Sequence, residues 1–540
     1  MSTHALFRRQ PVPQQLAPPL QTVTLPAPIR GIIESENEAF MQPGGAIVQD
    51  NWIPTMRGCR LRGGTKTHCT LPDANPVVSA FEYVNGANVH QMFASQHDKL
   101  YNVTSTSPVL VASVADGNWS TAQLSNLSGE HLLALNDTGD YAWYYDGTAW
   151  THFDADQITG PAGSGVEHGN GLTYVWKYRS RLFFIEGGSM NAYYLNVDEY
   201  QGTLQQIPLG GAGAKGGALL FGATWSVDTG AGPDDRCVFY TTEGEALLFT
   251  GNNPGDPTNW AQLGVYAVGR PMGKNAHLLM GGDLLIATVD GIVPLSKAIQ
   301  VDAGALDLAM LTRPIRQMWR QEVALKGGRP WTMRRWDVQG IMFVTWPGGL
   351  VGQRTCGVLN NATGAWGRMT YGYDALCFVG NGDDLYFGTQ DGRIVQCELG
   401  GTDDGALYVA SLIGGWEMFG APSNTNIWLQ ARAVFASTAA QPFVPQLSAC
   451  IDYQIKLPLP PPPGPDPGIQ EVWDSGDWDV ALWDQATTAV PPVRNTRWVS
   501  VGRTGFAHAP TVQVGVQQQA YPQVELLAIA ATYQRVGVNV

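Results

Sequence analysis

"GNGDDLYFGTQDGRIVQ", residues 380–396, reads as a turn, a short apolar strand, a second turn and a second strand. Asn-Gly and Asp-Gly punctuate it, the residue pairs that tight hairpins favour. Working outward, the same theme appears in "HDKLYNVT" around Leu100, "TGDYAWYY" around Tyr141 and "RSRLFFIE" around Leu182, at steps of 41 residues. It resumes in "MGGDLLIATVDGIVPL" around Leu285, and "DRCVFYTTEGEALLFTG" and "GIMFVTWPGG" supply further hairpins. Taken as six intervals, Leu100 to Leu385 gives a mean step of about 48 residues. Short strands recurring at roughly 40–50 residues are the pattern of propeller blades, each of which needs neighbours to bury its faces. The expectation is an all-β chain with an irregular β-propeller of six or seven blades over 77–404. The competing reading is an array of β-sandwiches with accidental spacing.

After Gly401 the rhythm changes. Segments 427–437, 445–455, 496–505, 511–519 and 522–537 are longer and alternate apolar with polar, as half-buried antiparallel strands do. They predict a β-sandwich-like platform unit over 405–540, with a Pro-rich connector at 457–468 and its N-terminal part at 31–76. Residues 1–30 hold six prolines. Proline fixes φ and donates no hydrogen bond, so an extended arm is expected there, laid against a neighbour in an assembly.

Composition supports this reading. Of 540 residues 14% are charged and 44% hydrophobic, with 64 Gly, 35 Pro and 18 Trp: rich in turns, yet too apolar for disorder. The formal charge of −14 argues against a protein that grips nucleic acid, because phosphate neutralisation calls for a basic surface. Seven cysteines without a CxxC read as buried free thiols made in a reducing cytoplasm rather than a disulfide frame or zinc site. Neither a signal peptide nor an 18-residue apolar window is present, so export and membrane insertion are not expected.

Candidate chemistry is sparse. "VWDSGDWDVALWDQ" spaces Trp473, Trp478 and Trp483 five apart among aspartates. Its spacing is not that of an EF-hand, so it reads as a surface contact loop with no metal assigned. "SVDTGAG", 226–232, partly resembles the Asp box turn of sialidase-type propellers but occurs once. The basic clusters at 313–321 and 329–336 pair Arg with Trp, which could stack bases; ion pairs or subunit contacts fit the acidic background better. There is no HExxH, GxSxG or P-loop, so no catalytic residue and no cofactor is predicted, and the chain is read as a non-enzyme.

"MQPGGAIVQDNWIPTMRGCRLRGGTKTH", 41–68, resembles the opening of tail nozzle proteins of short-tailed bacteriophages, the tail tubular protein B type, at Gly44, Gly45, Asn51, Trp52, Gly58, Arg60, Arg62, Gly63 and Gly64. Arg181 and Leu182 in "YRSRLFFIEGGSMNAYYLN", and the Trp strand with its Gly-Asp hairpin at 362–396, are similar to two further recurrent features of that family. The resemblance implies a structural virion protein, made in the host cytoplasm. Six copies would form a ring below the head-to-tail adaptor, in contact with tail fibres and a distal tip or plug, and genomic DNA would pass through the lumen without specific binding. The family-motif residues are then scaffold. A receptor- or carbohydrate-binding propeller is the alternative, and a propeller glycoside hydrolase a third.

Overall fold

The computed structural model describes residues 19–154, 156–228, 233–301, 303–325, 331–346, 355–420, 424–437, 445–462, 493–517 and 523–538. Strands dominate. The first strand of a meander alternates, as in Ser79–Val84 with every second residue buried. Second strands are different: 132–135, 182–185 and 284–287 are buried at every position. A strand flanked by neighbouring sheets on both faces must be apolar on both, which is why these runs are continuous rather than alternating.

Six separate sheets of three or four strands are blades, led by Ser79–Val84, Ser120–Asn126, Leu172–Tyr178, Leu219–Asp228, His277–Met280 and Ala375–Asn381. We number the first five in that order and call the last the closing blade. Between the fifth and closing blades sits a meander of Met333–Trp336, Ile341–Trp346, Thr355–Asn360 and Trp366–Met369. It fills a seventh place in the ring but continues into a larger sheet, and we call it the bridging meander. Apolar layers join each neighbour to the next. Phe81, Phe93 and Tyr145 link the first two blades, Leu133 and Phe184 the second and third, and Trp176, Phe239 and Ile286 the third to fifth. Leu285 and Val344, then Phe343 and Phe378, carry the ring through the bridging meander, and Val379 with Met92 returns it to the first blade.

The ring is locked by the N-terminal part of the chain. Lys66–Thr70 forms the outermost strand of the closing blade, pairing Thr70 with Arg393 and Lys66 with Gln396. This corrects the expected unit boundary: 66–70 belongs to the propeller, because the last blade otherwise ends in an open edge.

The second unit is a sandwich. One layer comprises Ala46–Asp50, Tyr408–Gly414, His508–Val516 and Gln446–Ile451. The other comprises Gln21–Pro26, Trp52–Pro54, Cys59–Leu61, Asn424–Ser437, Val493–Asn495, Val499–Gly505 and Val524–Val538. Trp52, Leu61, Leu412, Trp428, Val514 and Leu526 meet between them. Here too an expectation changes: 21–26 of the Pro-rich arm is a strand of this chain's own sheet, pairing Gln21 with Tyr533 and Pro26 with Ala528. Prolines crowd elsewhere in the arm, but "QTVTL" is β-branched enough to add an edge strand. Residues 1–18, the second half of the connector (463–468) and the loop carrying Trp473, Trp478 and Trp483 lie outside the described residues.

Candidate functional site

The opening motif builds the joint between propeller and sandwich. Ala46–Asp50 lies in one sandwich layer and Trp52–Pro54 in the other. Between them Asn51 adopts φ 62°, the left-handed turn that lets the chain switch sheets. Its buried amide is fully used: Nδ2 donates to Thr370 Oγ1 and the Val409 carbonyl at 2.7 Å each, while Oδ1 accepts from Thr370 N at 2.9 Å and Arg62 Nε at 2.8 Å.

Arg62 is the centre of the joint and is 0% exposed. Its Nη1 donates to Asp403 Oδ1 (2.9 Å) and the Gly63 carbonyl (2.8 Å); its Nη2 donates to Asp403 Oδ2 (2.7 Å) and the Thr370 carbonyl (3.3 Å). The guanidinium lies 3.8 Å from the Tyr408 ring centroid and 4.9 Å from that of Tyr373. With Nε on Asn51, every N–H is engaged, the arrangement that makes a buried arginine tolerable. Burial alone would lower its pKa, but the Asp403 carboxylate outweighs this and raises it. Arg60 adds a second tie, at 2.8 Å to the buried Glu398.

The glycines of the motif are places of close backbone approach. A Cβ on Gly64 would lie 2.1 Å from the Thr402 carbonyl oxygen, and one on Gly58 2.2 Å from that of Leu526. Gly44 takes φ 84°, and Gly45 packs on Met41. Trp52, 0% exposed, fills the sandwich core above them. Arg181 and Leu182 lie elsewhere, in the third blade: Leu182 is buried, and Arg181 donates to the carbonyls of Asn252 (3.2 Å) and Leu195 (3.3 Å), fastening that blade to the fourth. Thus Asn51, Arg60, Arg62, Gly63 and Gly64 meet at the joint, Gly44, Gly45, Trp52 and Gly58 pack on the sandwich side, and Arg181 and Leu182 lie in the third blade.

A third tie was not legible in the sequence. Asp50 and Arg368 are register partners where the sandwich strand runs parallel to the bridging meander, and their side chains pair at 2.7 and 2.8 Å. Glu34, which accepts from Met318 N at 2.8 Å, and Glu322 also face Arg368. Burial pushes both carboxyls above their usual range. The folded chain therefore holds protons that the unfolded chain releases, and this contribution to stability is lost as pH rises through the folded pKa values. Glu322→Gln should flatten the fall in thermal midpoint from about pH 4 to 7 and raise the midpoint at pH 7. An unchanged slope would assign the dependence to other carboxyls.

The interior of the ring is occupied as well. Lys274 leads into the fifth blade yet donates to the Asn118 carbonyl (2.8 Å) of the second blade and the Thr173 carbonyl (3.3 Å) of the third, with Asp137 at 2.6 Å. Neighbouring Asn275 donates to the Trp119 carbonyl at 3.1 Å. Bonds between blades that are not adjacent cross the ring, so this segment bars its interior at one end.

Among the described residues the basic clusters supply core tryptophans and ion pairs. Trp319 and Trp331 are buried edge to face at 4.9 Å, Arg316 pairs with Asp307 at 2.7 Å, and Arg335 pairs with Asp337. Residues 226–228 end the strand Leu219–Asp228, and 229–232 lie outside the described residues. All seven cysteines are buried and free, and burial pushes Cys69 up to about 11 and Cys356 and Cys377 to about 12, far from thiolate chemistry at neutral pH. Among the described residues no group of His, Cys, Asp and Glu could hold a metal ion, and no helix is long and apolar enough to cross a membrane.

No family model matches the chain, and no curated protein matches it in sequence. Solved structures do match in fold. They include the β-propeller domain of Cps50 (Swd1) from Myceliophteria thermophila, at 13% identity and TM-score 0.37, covering 62% of this chain and 99% of that one. An inactive virginiamycin B lyase from Staphylococcus aureus matches at 9% identity and TM-score 0.39, with 62% and 99% covered. Sqt1 from Saccharomyces cerevisiae matches at 10% and 0.34, with 65% and 96% covered.

Proposed function

We propose that this chain is the subunit of a phage tail nozzle, a structural ring below the head-to-tail adaptor through which genomic DNA leaves the capsid. One observation carries the reading: Asn51, Arg60, Arg62, Gly63 and Gly64 of the nozzle resemblance meet in one joint that fixes the propeller against the sandwich. Arg62 spends all its donors internally, so the joint's chemistry is rigidity. A subunit that must close a six-fold ring needs such a joint, because an angular error repeats at every interface and turns a ring into an open helix. With Lys274 barring the propeller, the DNA path belongs between copies rather than through a blade ring. The net charge of −14 per copy suits a lumen from which DNA must slip freely.

The test is a cryo-EM reconstruction of the particle that carries this protein. The expected result is a six-fold ring on the tail axis with a pore of about 20 Å or more, wide enough for the duplex. Density off the axis, or a single copy at a fibre tip, would overturn the proposal in favour of a receptor- or carbohydrate-binding propeller.

A further inference from the structure

Residues 274–277 hold the fifth blade to three others. Lys274 and Asn275 reach the second and third blades across the ring. His277 reaches the third and fourth. Its Nε2 stands 3.2 Å from the Tyr174 hydroxyl, and its ring stacks on Phe221 with centroids 4.3 Å apart and planes 2° from parallel. Phe221 stacks in turn on Tyr240, at 4.7 Å and 10°. A run of four residues thus joins four blades.

This cluster has no place for a second positive charge. The Lys274 ammonium spends its three N–H groups on Asp137 and the carbonyls of Asn118 and Thr173. The acids that face it are Asp137 and Asp116. No acid faces His277 among the described residues. Its Nδ1 is buried there without a hydrogen-bond partner, and only the main chain of Lys274 favours a proton on the ring. Burial outweighs that pull and pushes its pKa down to about 4. The other inward-facing histidines are placed differently: His131 has Asp146 and Glu130 against it, and His508 has Asp452.

We infer that residues 274–277 form an acid-released bolt: a proton taken up by His277 parts the fifth blade from the third and fourth, withdraws Lys274 from its carbonyls and unbars this end of the ring. That proton would set a cation against the Phe221 ring, three residues from the Lys274 ammonium, with no carboxylate to answer it. Giving up the Tyr174 contact and the stack on Phe221 lets the imidazolium reach water, and the short stretch of main chain that carries Lys274 moves with it. A histidine whose folded pKa lies below its unfolded value adds stability above the unfolded value and loses it as pH falls. Release therefore falls between about pH 6.5, where a free histidine titrates, and about pH 4. The bolt belongs to a single chain and stands whether or not copies assemble into a nozzle.

Hydrogen exchange of the full chain, read by mass spectrometry with labelling times scaled to the intrinsic rate at each pH, tests it at about pH 7 and about pH 4. Peptides holding Ser120–Asn126, Leu172–Tyr178 and His277–Met280 should exchange about 10-fold faster or more at the lower pH, while those holding Ala375–Asn381 in the closing blade keep their rate. His277→Phe keeps a ring on Phe221 and cannot take a proton, so the acid response should vanish. His277→Gln, also uncharged, should abolish it too, and serves if the Phe variant does not fold. Thermal midpoints at about pH 7 close to the parent's identify the folded variants. Lys274→Met should exchange fast in the same strands at both pH values. No acid response in the parent, an equal response in every blade, or a response that persists in a folded His277 variant would overturn the bolt.

Discussion

Arg62→Ala should cost about 3–5 kcal/mol of stability, the usual penalty when one partner of a buried ion pair is removed and the other is left uncompensated. Asp403 would remain at the joint with its two guanidinium bonds gone, and Asn51 Oδ1 and the Thr370 carbonyl would lose a donor each. Tyr408 and Tyr373 would lose the cation between them. Because these partners belong to both units, thermal unfolding should split, with sandwich and propeller melting separately where the parent melts as one. Differential scanning calorimetry reads both outcomes. Arg62→Lys should recover little, since a point charge cannot replace five N–H groups in a fixed fork. A single transition at the parent's midpoint would show that the joint is held by other contacts.

Gly64→Ala should destabilise by about 3 kcal/mol, at the upper end for overpacking. The added methyl meets the Thr402 carbonyl, its amide nitrogen at 2.5 Å and its carbonyl carbon at 2.7 Å, all of them backbone atoms that no rotamer change can move. Relief requires parting Gly64 from the strand it touches, which breaks Gly64 N to the Gly400 carbonyl (2.8 Å) and Thr65 N to the Thr402 carbonyl (3.0 Å). Those bonds stand immediately before Lys66–Thr70, the strand that locks the ring. Amide exchange should therefore accelerate in 66–70 and 393–396 before it does elsewhere. Gly211→Ala, where an added methyl meets nothing within 4 Å, is the control, and equal exchange in the two variants would show that crowding at Gly64 does not govern closure.

The propeller was legible because its second strands are apolar on both faces, as at Leu182, Leu285 and Leu385. The 41-residue steps were less faithful than they looked. Leu100 lies in a third strand and Tyr141 just ahead of one, whereas Leu182 lies in a second strand. The spacing thus joined inequivalent places, and the blade count survived because turns and strands still alternate. The sandwich strands were legible from alternation, so that 511–519 and 522–537 correspond to His508–Val516 and Val524–Val538. What stayed hidden were pairings between distant residues. Nothing in "GTDDG" marks Asp403 as the counter-ion of Arg62, 341 positions away. Lys274 gave no signal either, being a lone lysine in a turn until the ring brings Asn118 and Thr173 to it.

Strands some 460 to 510 residues apart build the same sheet, and this sets a clock on synthesis. Gln21–Pro26 and Cys59–Leu61 each pair with Val524–Val538, which leaves the ribosome long after them. At about 5–20 residues per second, roughly half a minute to two minutes separate the making of the early strands from the arrival of their partner. For that interval the N-terminal edges wait unpaired, while the blades between them can already stack one upon the next. A message cut short between the closing blade and Val524 therefore yields a ring of blades with no finished platform.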